Sequence, residues 1–94
     1  MFQPVLNEMR RRVRLDRLTI PIHAREAMFD DGLITDDIAS AILCGKIVER
    51  QWDVKWNEWK YIIEGQALDG RWLEVVAKLG FNDDTLMITV YQLD

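Results

Sequence analysis

The chain has 94 residues, of which 49% are hydrophobic and 30% are charged, proportions typical of a soluble globular protein. This length predicts one domain over residues 1–94. No apolar run approaches the roughly 20 residues that a membrane-spanning helix needs, and the N-terminal residues show no signal-peptide core. We therefore expect a cytoplasmic protein that does not enter a membrane.

The chain contains one cysteine, Cys44, and one histidine, His23, so no intrachain disulfide is expected. A single Cys with a single His also argues against a zinc site. Cys44 follows three apolar residues, which indicates a small buried side chain rather than a reactive thiol. We expect neither a metal nor a cofactor.

The formal net charge of −4 is unevenly distributed. Residues 1–25 carry six arginines against Glu8 and Asp16, a charge of +4, whereas the remainder carries six basic against fourteen acidic residues, a charge of −8. The acidic body argues against tight non-specific binding of nucleic acid. The basic head can meet phosphate, an acidic partner, or acidic groups of the body itself.

A first helix is predicted over residues 4–16, because Val5, Met9 and Val13 recur at a spacing of four. The arginines on its other faces form either a solvated surface or a contact for a partner or for phosphate. The candidate contact residues are Arg10, Arg11 and Arg14.

Two further helices are predicted after a segment at residues 18–20 that can be briefly extended. The second runs from about Ile22 to Asp30 and is followed by Gly32 as the left-handed residue beyond its end. The third begins with Thr35 as N-cap and runs to about Cys44.

After Lys46 the hydrophobic period changes to two, which predicts strands at 46–52, 59–68, 71–79 and 85–93. Asp69-Gly70 predicts a two-residue hairpin turn. Because all three connections are short, the strands are expected to pair antiparallel as a meander. The predicted fold is therefore α+β, with two or three N-terminal helices packed on a four-stranded antiparallel meander.

Alternation along the strands divides the predicted sheet into two faces. The face expected to lie under the helices carries Tyr61, Ile63, Leu73, Val75, Ala77, Leu79, Leu86, Ile88 and Val90. The opposite face is mixed, with Lys60, Glu64, Trp72, Glu74, Lys78, Met87, Thr89 and Tyr91. A carboxylate and an ammonium group there are suited to act on a phosphodiester as base and charge stabiliser. The alternative is that they are ordinary cross-strand ion pairs.

His23 and Arg71 each have two interpretations. His23 is either a general acid–base or a hydrogen-bonded residue that fixes the start of the second helix. Arg71 follows the predicted turn and either grips a phosphate bidentately or is an exposed charge at a strand end.

Three tryptophans, Trp52, Trp56 and Trp59, cluster around the connection between the first two strands. They either pack on the sheet edge, anchor a protein interface, or form a platform for stacking bases.

Several strings of the chain resemble an uncharacterised bacterial family, domain of unknown function 4258. They are His23-Ala24 with Met28, Gly32-Leu33-Ile34-Thr35, Ile38 to Gly45, Leu68-Asp69-Gly70-Arg71, Val75-Val76 and Ile88-Thr89-Val90-Tyr91. Members of that family look like toxins of the RelE/MqsR kind that are encoded beside antitoxins. The resemblance implies an α+β domain that acts on RNA as a metal-independent ribonuclease and is neutralised by a partner protein. It carries over to His23, Arg71, Thr89 and Tyr91.

Three functional hypotheses follow. The first is a toxin-like endoribonuclease whose His23 and Tyr91 side chains approach one another in a concave site. Its candidate residues are His23, Arg71, Tyr91, Glu74 and Lys78 for catalysis, with Thr89 and Lys60 for the substrate. The second is a non-catalytic module that binds a protein through the tryptophan loop or the arginine-rich helix. The third is a homo-oligomer that pairs through an exposed sheet edge.

Overall fold

The computed structural model describes residues 2–93, as three helices and one five-stranded sheet. The elements in chain order are α1 (Gln3–Arg14), β1 (Leu18–Thr19), α2 (Ile22–Asp30), α3 (Thr35–Cys44), β2 (Lys46–Asp53), β3 (Glu58–Gln66), β4 (Trp72–Leu79) and β5 (Thr85–Gln92). The predicted α+β class is confirmed, with all helices N-terminal to the meander. Within residues 2–93, no helix has the length and apolar character needed to cross a membrane.

The sheet is mixed and five-stranded, so the prediction of a four-stranded antiparallel sheet is wrong. Its order is β1-β5-β4-β3-β2, in which β2 to β5 form the predicted antiparallel meander. β1 pairs parallel to β5, with Leu18 opposite Thr85. A strand of two residues is too short to show an alternating pattern, and its partner lies far along the chain. The sequence therefore indicated an extended segment but not its pairing.

Helix ends follow from local backbone chemistry. α1 ends two residues earlier than predicted because Asp16 adopts a left-handed φ of 61°. The Arg17 and Asp16 N–H groups then donate to the carbonyls of Arg12 and Val13, which is the Schellman pattern. α2 has its predicted bounds, and Gly32 has the expected positive φ of 67°.

The start of α3 depends on a buried carboxylate. Ile34 is the N-cap, so the prediction that Thr35 has this role is wrong by one residue. Asp37 is only 6% exposed, and its Oδ2 accepts the Ile34 N–H at 2.9 Å. Its Oδ1 accepts the Leu68 N–H at 3.0 Å. One side chain thus holds the first turn of α3 against the turn between β3 and β4.

The turn between β3 and β4 has three residues rather than the predicted two. The Gly70 N–H donates to the Ala67 carbonyl, and the Ala67 N–H donates to the Arg71 carbonyl. Gly70 alone has a positive φ, of 91°. This is a type I turn followed by a left-handed glycine, the usual form of a three-residue hairpin loop.

The core lies between the three helices and one face of the sheet. Its fully buried side chains include Met9, Ile38, Ile42, Ile63, Leu73, Val75 and Met87. α3 packs so closely on β3 that a Cβ added at Gly65 would lie 2.1 Å from the Ala41 carbonyl oxygen. Glycine at this position therefore sets the distance between helix and sheet. The prediction that Cys44 is buried is wrong, because it lies exposed at the end of α3.

A β-bulge in β5 changes which residues face the core. Val76 pairs with Thr89 but Ala77 pairs with Met87, which leaves Ile88 as an extra residue. The assignment of Leu86 and Ile88 to the core is therefore wrong, and so is the placement of Met87 on the opposite face. Met87 is fully buried in the core. Beyond the bulge the predicted parity holds, because Val90 packs against the core.

Candidate functional site

The sheet face away from the core carries a cavity of about 230 Å³. It lies between the start of α2, strands β4 and β5, and the tip of the β2–β3 hairpin. His23, Trp56 and Lys78 line it together with Asp53, Pro21 and the β5 residues Leu86, Met87 and Ile88. An imidazole, an indole and an ammonium group therefore share one concave, mostly apolar site.

A second cavity, of about 370 Å³, continues from the first. The two share Trp56, Lys78 and Leu86. The second is completed by Thr19 and by the β4–β5 loop residues Gly80, Phe81, Asn82 and Asp84. We call the two cavities together the sheet groove, with Lys78 and Trp56 at its middle.

Lys78 is held in place by an acidic partner. Its ammonium group forms an ion pair and hydrogen bond with Glu58, and both side chains are partly buried. A lysine has three donors, so the bond to Glu58 leaves others free for a ligand. The Lys78 Nζ also lies 5.6 Å from the centroid of Trp56, within cation–π range. The cation is thus fixed beside an aromatic ring at the middle of the groove.

Trp56 is positioned by the hairpin tip. Its backbone N–H donates to Asp53 Oδ1 at 3.3 Å, and the next residue, Asn57, has a left-handed φ of 54°. Lys55 approaches the same ring, with its Nζ 5.4 Å from the centroid. Two lysines therefore flank an exposed indole. Proteins that bind single-stranded nucleic acids use this combination of cations and aromatic surface.

His23 lies in the first turn of α2 and is exposed. Within residues 2–93 no hydrogen bond involves its imidazole, so the described contacts do not supply the structural role considered from the sequence. Within the same range, no three His, Cys, Asp or Glu side chains are grouped so that they could hold a metal ion. His23 thus presents an uncommitted acid–base group to the groove.

Arg71 lies at the other end of α2. Its Nη1 donates to the Asp31 carbonyl at 2.7 Å and its Nη2 to the Gly32 carbonyl at 3.1 Å. Its Nε donates to Asp69, whose pKa is lowered mainly by the backbone N–H of Arg71 and then by this side chain. The guanidinium thus joins the β3–β4 turn to the end of α2. His23 lies eight residues before Asp31, so about 12 Å of helix separates it from this end.

Tyr91 and Glu74 also lie away from the groove. They pair with one another across β4 and β5, and Glu74 is four residues from Lys78 along β4, a rise of about 13 Å. Neither Tyr91 nor Thr89 lines the cavity that holds His23, and Thr89 pairs with Val76 between the two ends. The structure therefore brings His23 and Lys78 together and separates both from Arg71, Tyr91 and Glu74.

The comparison with family models supplies the identity of the domain. The model described as a domain of unknown function, DUF4258, matches residues 22–92, which is more than half of the chain. The chain belongs to the DUF4258 family. The match runs from α2 to β5 and therefore includes all four strands of the meander. A comparison with curated proteins found no match, and a comparison with solved structures also found none.

The basic head of this DUF4258 chain, most of which precedes the matched region, is largely engaged by the chain itself. Arg10 donates to the carbonyls of Ile42 and Gly45, at 3.2 and 2.6 Å, and so caps the end of α3. Arg11 bonds Glu8 and Asp83. Among the described residues Arg14 makes no side-chain hydrogen bond and is exposed. Of the three arginines predicted to meet a partner, Arg14 is the one left available.

Glu8 is the acidic centre of this network. Hydrogen bonds from Arg11 and then Arg12 lower its pKa from 4.5 to about 2. Asp83, in the β4–β5 loop, pairs with Arg11, Arg12 and Arg17. The basic head therefore meets acidic groups of the body, one of the three roles considered from the sequence.

The three tryptophans of the DUF4258 domain do not form one cluster. Trp52 and Trp59 pair across β2 and β3, with ring centroids 5.0 Å apart and nearly perpendicular planes. Arg50 lies over Trp59 at 3.9 Å from its centroid. This pair lies on the helix side of the sheet, whereas Trp56 lies on the groove side. The tryptophan loop thus divides into an edge pair and a groove residue.

Several residues that line or support the groove were not among the predicted site residues, and Glu58, Phe81 and Leu86 show the reasons. Glu58 was assigned to a connection, whereas it is the first residue of β3 and pairs with Asp53 of β2. Leu86 was assigned to the core because a bulge leaves no trace in the alternation that precedes it. Phe81 carried a usable signal, since an aromatic residue inside a polar loop has no obvious packing role. Lys60, a predicted substrate contact, precedes the core residue Tyr61 in β3 and therefore lies on the groove face. It lines neither cavity.

Proposed function

We propose that this domain is a toxin-like, metal-independent endoribonuclease that cleaves single-stranded RNA in the sheet groove. The observation that supports it is that His23, Trp56 and Lys78 line one cavity. Together these residues supply an acid–base, a fixed cation and a stacking surface, which are groups suited to bind and cleave RNA without a metal.

The reaction begins with the ribose 2′-hydroxyl. His23 accepts its proton while the 2′-oxygen forms a bond to phosphorus, and the Lys78 ammonium stabilises the negative charge that grows on the non-bridging oxygens. The bond from phosphorus to the 5′-oxygen breaks, and that oxygen leaves with a proton from water. The products are a 2′,3′-cyclic phosphate and a 5′-hydroxyl end.

Glu58 and Trp56 position the reacting groups. The ion pair with Glu58 fixes the direction of the Lys78 ammonium, and a base stacked on Trp56 brings its phosphate close to that ammonium. Arg71 and Tyr91 are not part of this chemistry, because Arg71 donates to two backbone carbonyls and Tyr91 lies at the opposite end of β5 from Leu86.

Cations lie close to the groove although the overall charge is −4. Lys55 and Lys78 border the groove, and the carboxylates of Asp53 and Asp84 line its two cavities as well. Phosphate contacts depend on the cations that lie close to the strand, since exposed charges further away than about 10 Å are screened at physiological salt. Binding should therefore weaken with added salt, with a slope that reflects a small number of contacts.

The test is cleavage of a single-stranded RNA by the purified protein in EDTA, with the product ends analysed by mass spectrometry. We expect 2′,3′-cyclic phosphate ends from the wild type, and a loss of rate of at least about 100-fold for His23→Gln, the usual range for removing an acid–base. Lys78→Met should lose activity as well. Glu26→Gln on α2 and Lys46→Met on the same sheet face are the matched controls.

Growth and total RNA after induction in a bacterial host give the cellular form of the test. Arrest with fragmented RNA for the wild type, relieved by His23→Gln at unchanged soluble level, agrees with the proposal. Uncleaved RNA with folded wild-type protein, or equal cleavage by His23→Gln, contradicts it.

A second candidate function is a protein-binding module that uses the free edge of β2. The observation in its favour is that Trp52 and Trp59 are 45% and 37% exposed beside that edge. A cognate antitoxin could add a strand there and anchor on the pair. Co-expression with the protein encoded beside this one, followed by co-purification, tests it. Trp52→Arg should abolish the complex and Val54→Arg should not.

A further inference from the structure

Phe81 is the most exposed large apolar side chain of the described residues, at 97%. It lies in the loop between β4 and β5 and lines the second half of the sheet groove. No described residue covers its ring, although a phenylalanine in water loses the free energy that burial would provide. An exposed aromatic residue at a concave site is a frequent element of ligand binding.

The loop that carries Phe81 is fixed in place. Asp83 pairs with Arg11 and Arg17, and Arg12 donates to the Asp84 carbonyl at 2.8 Å. The Gly80 N–H donates to the same Asp84 carbonyl at 2.9 Å. These bonds close the loop at its base and tie it to α1. The arginines of the basic head thus fix the loop from which the Phe81 ring projects.

The second cavity also has polar groups suited to a nucleotide. Thr19 and Asn82 offer a hydroxyl and a carboxamide on its wall. These side chains can bond the edge of a base or a ribose hydroxyl. Trp56 and Lys78 belong to both cavities. A strand that crosses the groove therefore meets Trp56 and Lys78 at its middle and Phe81 in its second half.

We propose that Phe81 stacks on a second base, so that the groove binds two successive nucleotides of single-stranded RNA with the phosphate between them at Lys78. One base then lies on Trp56 and the other on Phe81. This inference rests on the proposed function, because it assigns the footprint of the same substrate. Duplex RNA does not fit the arrangement, since its bases are stacked on one another and cannot reach side-chain rings.

The test measures binding without cleavage. The probe is a dye-labelled tetranucleotide with a 2′-O-methyl group on every ribose, which lacks the attacking hydroxyl, and the readout is fluorescence anisotropy. We expect Phe81→Ala to weaken binding roughly 5- to 150-fold, the range that alanine substitution gives for one stacked base. Phe81→Trp should keep binding within about threefold of the wild type, since it retains an aromatic surface.

Phe29→Ala is the matched control. Phe29 is 84% exposed on α2 and lines neither half of the groove, so its loss removes an exposed ring from a different place. It should leave the affinity unchanged. A competing 2′-O-methyl mononucleotide should bind the wild type and Phe81→Ala equally well if Phe81 serves only the second base.

The outcomes separate this inference from the function on which it rests. If the wild type binds the probe and Trp56→Ala weakens it while Phe81→Ala does not, the second stacking site is overturned and the proposed function stands. If the wild type does not bind the probe at all, both are overturned. Equal losses for Phe81→Ala and Phe29→Ala would show a non-specific contribution of exposed rings and would also overturn the second site.

Discussion

Replacing Asp37 should be among the most costly substitutions outside the apolar core. The carboxylate is 6% exposed and accepts two backbone N–H groups, from Ile34 and Leu68. Hydrogen bonds to charged groups contribute about 1.5–3 kcal/mol each. Alanine favours the helix and removes a buried charge, which offsets part of the loss, so we expect Asp37→Ala to lower the free energy of unfolding by about 3 kcal/mol.

The neighbouring Asp36 supplies the control. It shares the first turn of α3 but is exposed and makes no side-chain hydrogen bond among the described residues. Asp36→Ala loses only its interaction with the helix N-terminus, about 0.3–1 kcal/mol. Asp37→Asn should be nearly as unstable as Asp37→Ala, because a carboxamide has one acceptor oxygen and its NH₂ group would face an N–H.

Urea unfolding followed by tryptophan fluorescence and by circular dichroism measures these differences. For a domain of this size, a loss of 3 kcal/mol corresponds to a fall in Tm of roughly 12–24 °C. Coincident transitions from the two probes would justify two-state values. A difference below about 0.5 kcal/mol between Asp37→Ala and Asp36→Ala would refute the idea that this carboxylate fixes α3 to the β3–β4 turn.

Three further predictions concern other parts of the fold. Gly65→Ala should cost about 1–3 kcal/mol, since its Cβ would lie 2.1 Å from a backbone oxygen of Ala41; an unchanged urea midpoint would contradict this. The pKa of Glu8 falls from 4.5 to about 2 on folding, so its contribution to stability is full above pH 4.5 and is lost as the pH falls towards 2. Glu8→Gln should therefore flatten the acid limb of a plot of stability against pH, and an unaltered limb would count against the network. Arg71→Lys should speed amide exchange at the end of α2, because lysine cannot bond the Asp31 and Gly32 carbonyls as a planar fork; protection equal to wild type would show that the guanidinium is dispensable.

The predictable part of the fold is the part that local chemistry determines. Pro21 and Gly32 bracket α2, and the two-residue period marks the meander strands to within two residues. The parallel pairing of β1 was not predictable in the same way. This pairing depends on the position of β5 in the folded sheet, and two helices and three strands separate β1 from β5 along the chain. The two residues of β1 are also too few to show a hydrophobic period. Long-range pairing is decided by the packed sheet rather than by the segment itself.

The candidate site was partly predictable for the same reason. His23 and Lys78 were both candidates, but nothing in their local patterns states that they share a cavity. Arg71 matched the expected position after a turn, yet the structure uses its donors on backbone carbonyls of α2. The contacts made in the folded protein decide which hydrogen-bond donors remain free. The residue type alone therefore does not indicate whether a side chain faces a ligand.

The bulge at Ile88 is the feature that connects the fold to the groove. By adding one residue to β5 it sends Met87 into the core and leaves Leu86 beside Lys78 on the groove face. Bulges are over-represented next to active sites, where they redirect a side chain. Because of the same extra residue, Thr89 and Tyr91 lie on the groove side of the sheet, but they line neither of the two cavities. A one-residue deletion at Ile88 would therefore exchange core and groove residues at one end of β5 only, which makes the groove floor depend on a single inserted residue.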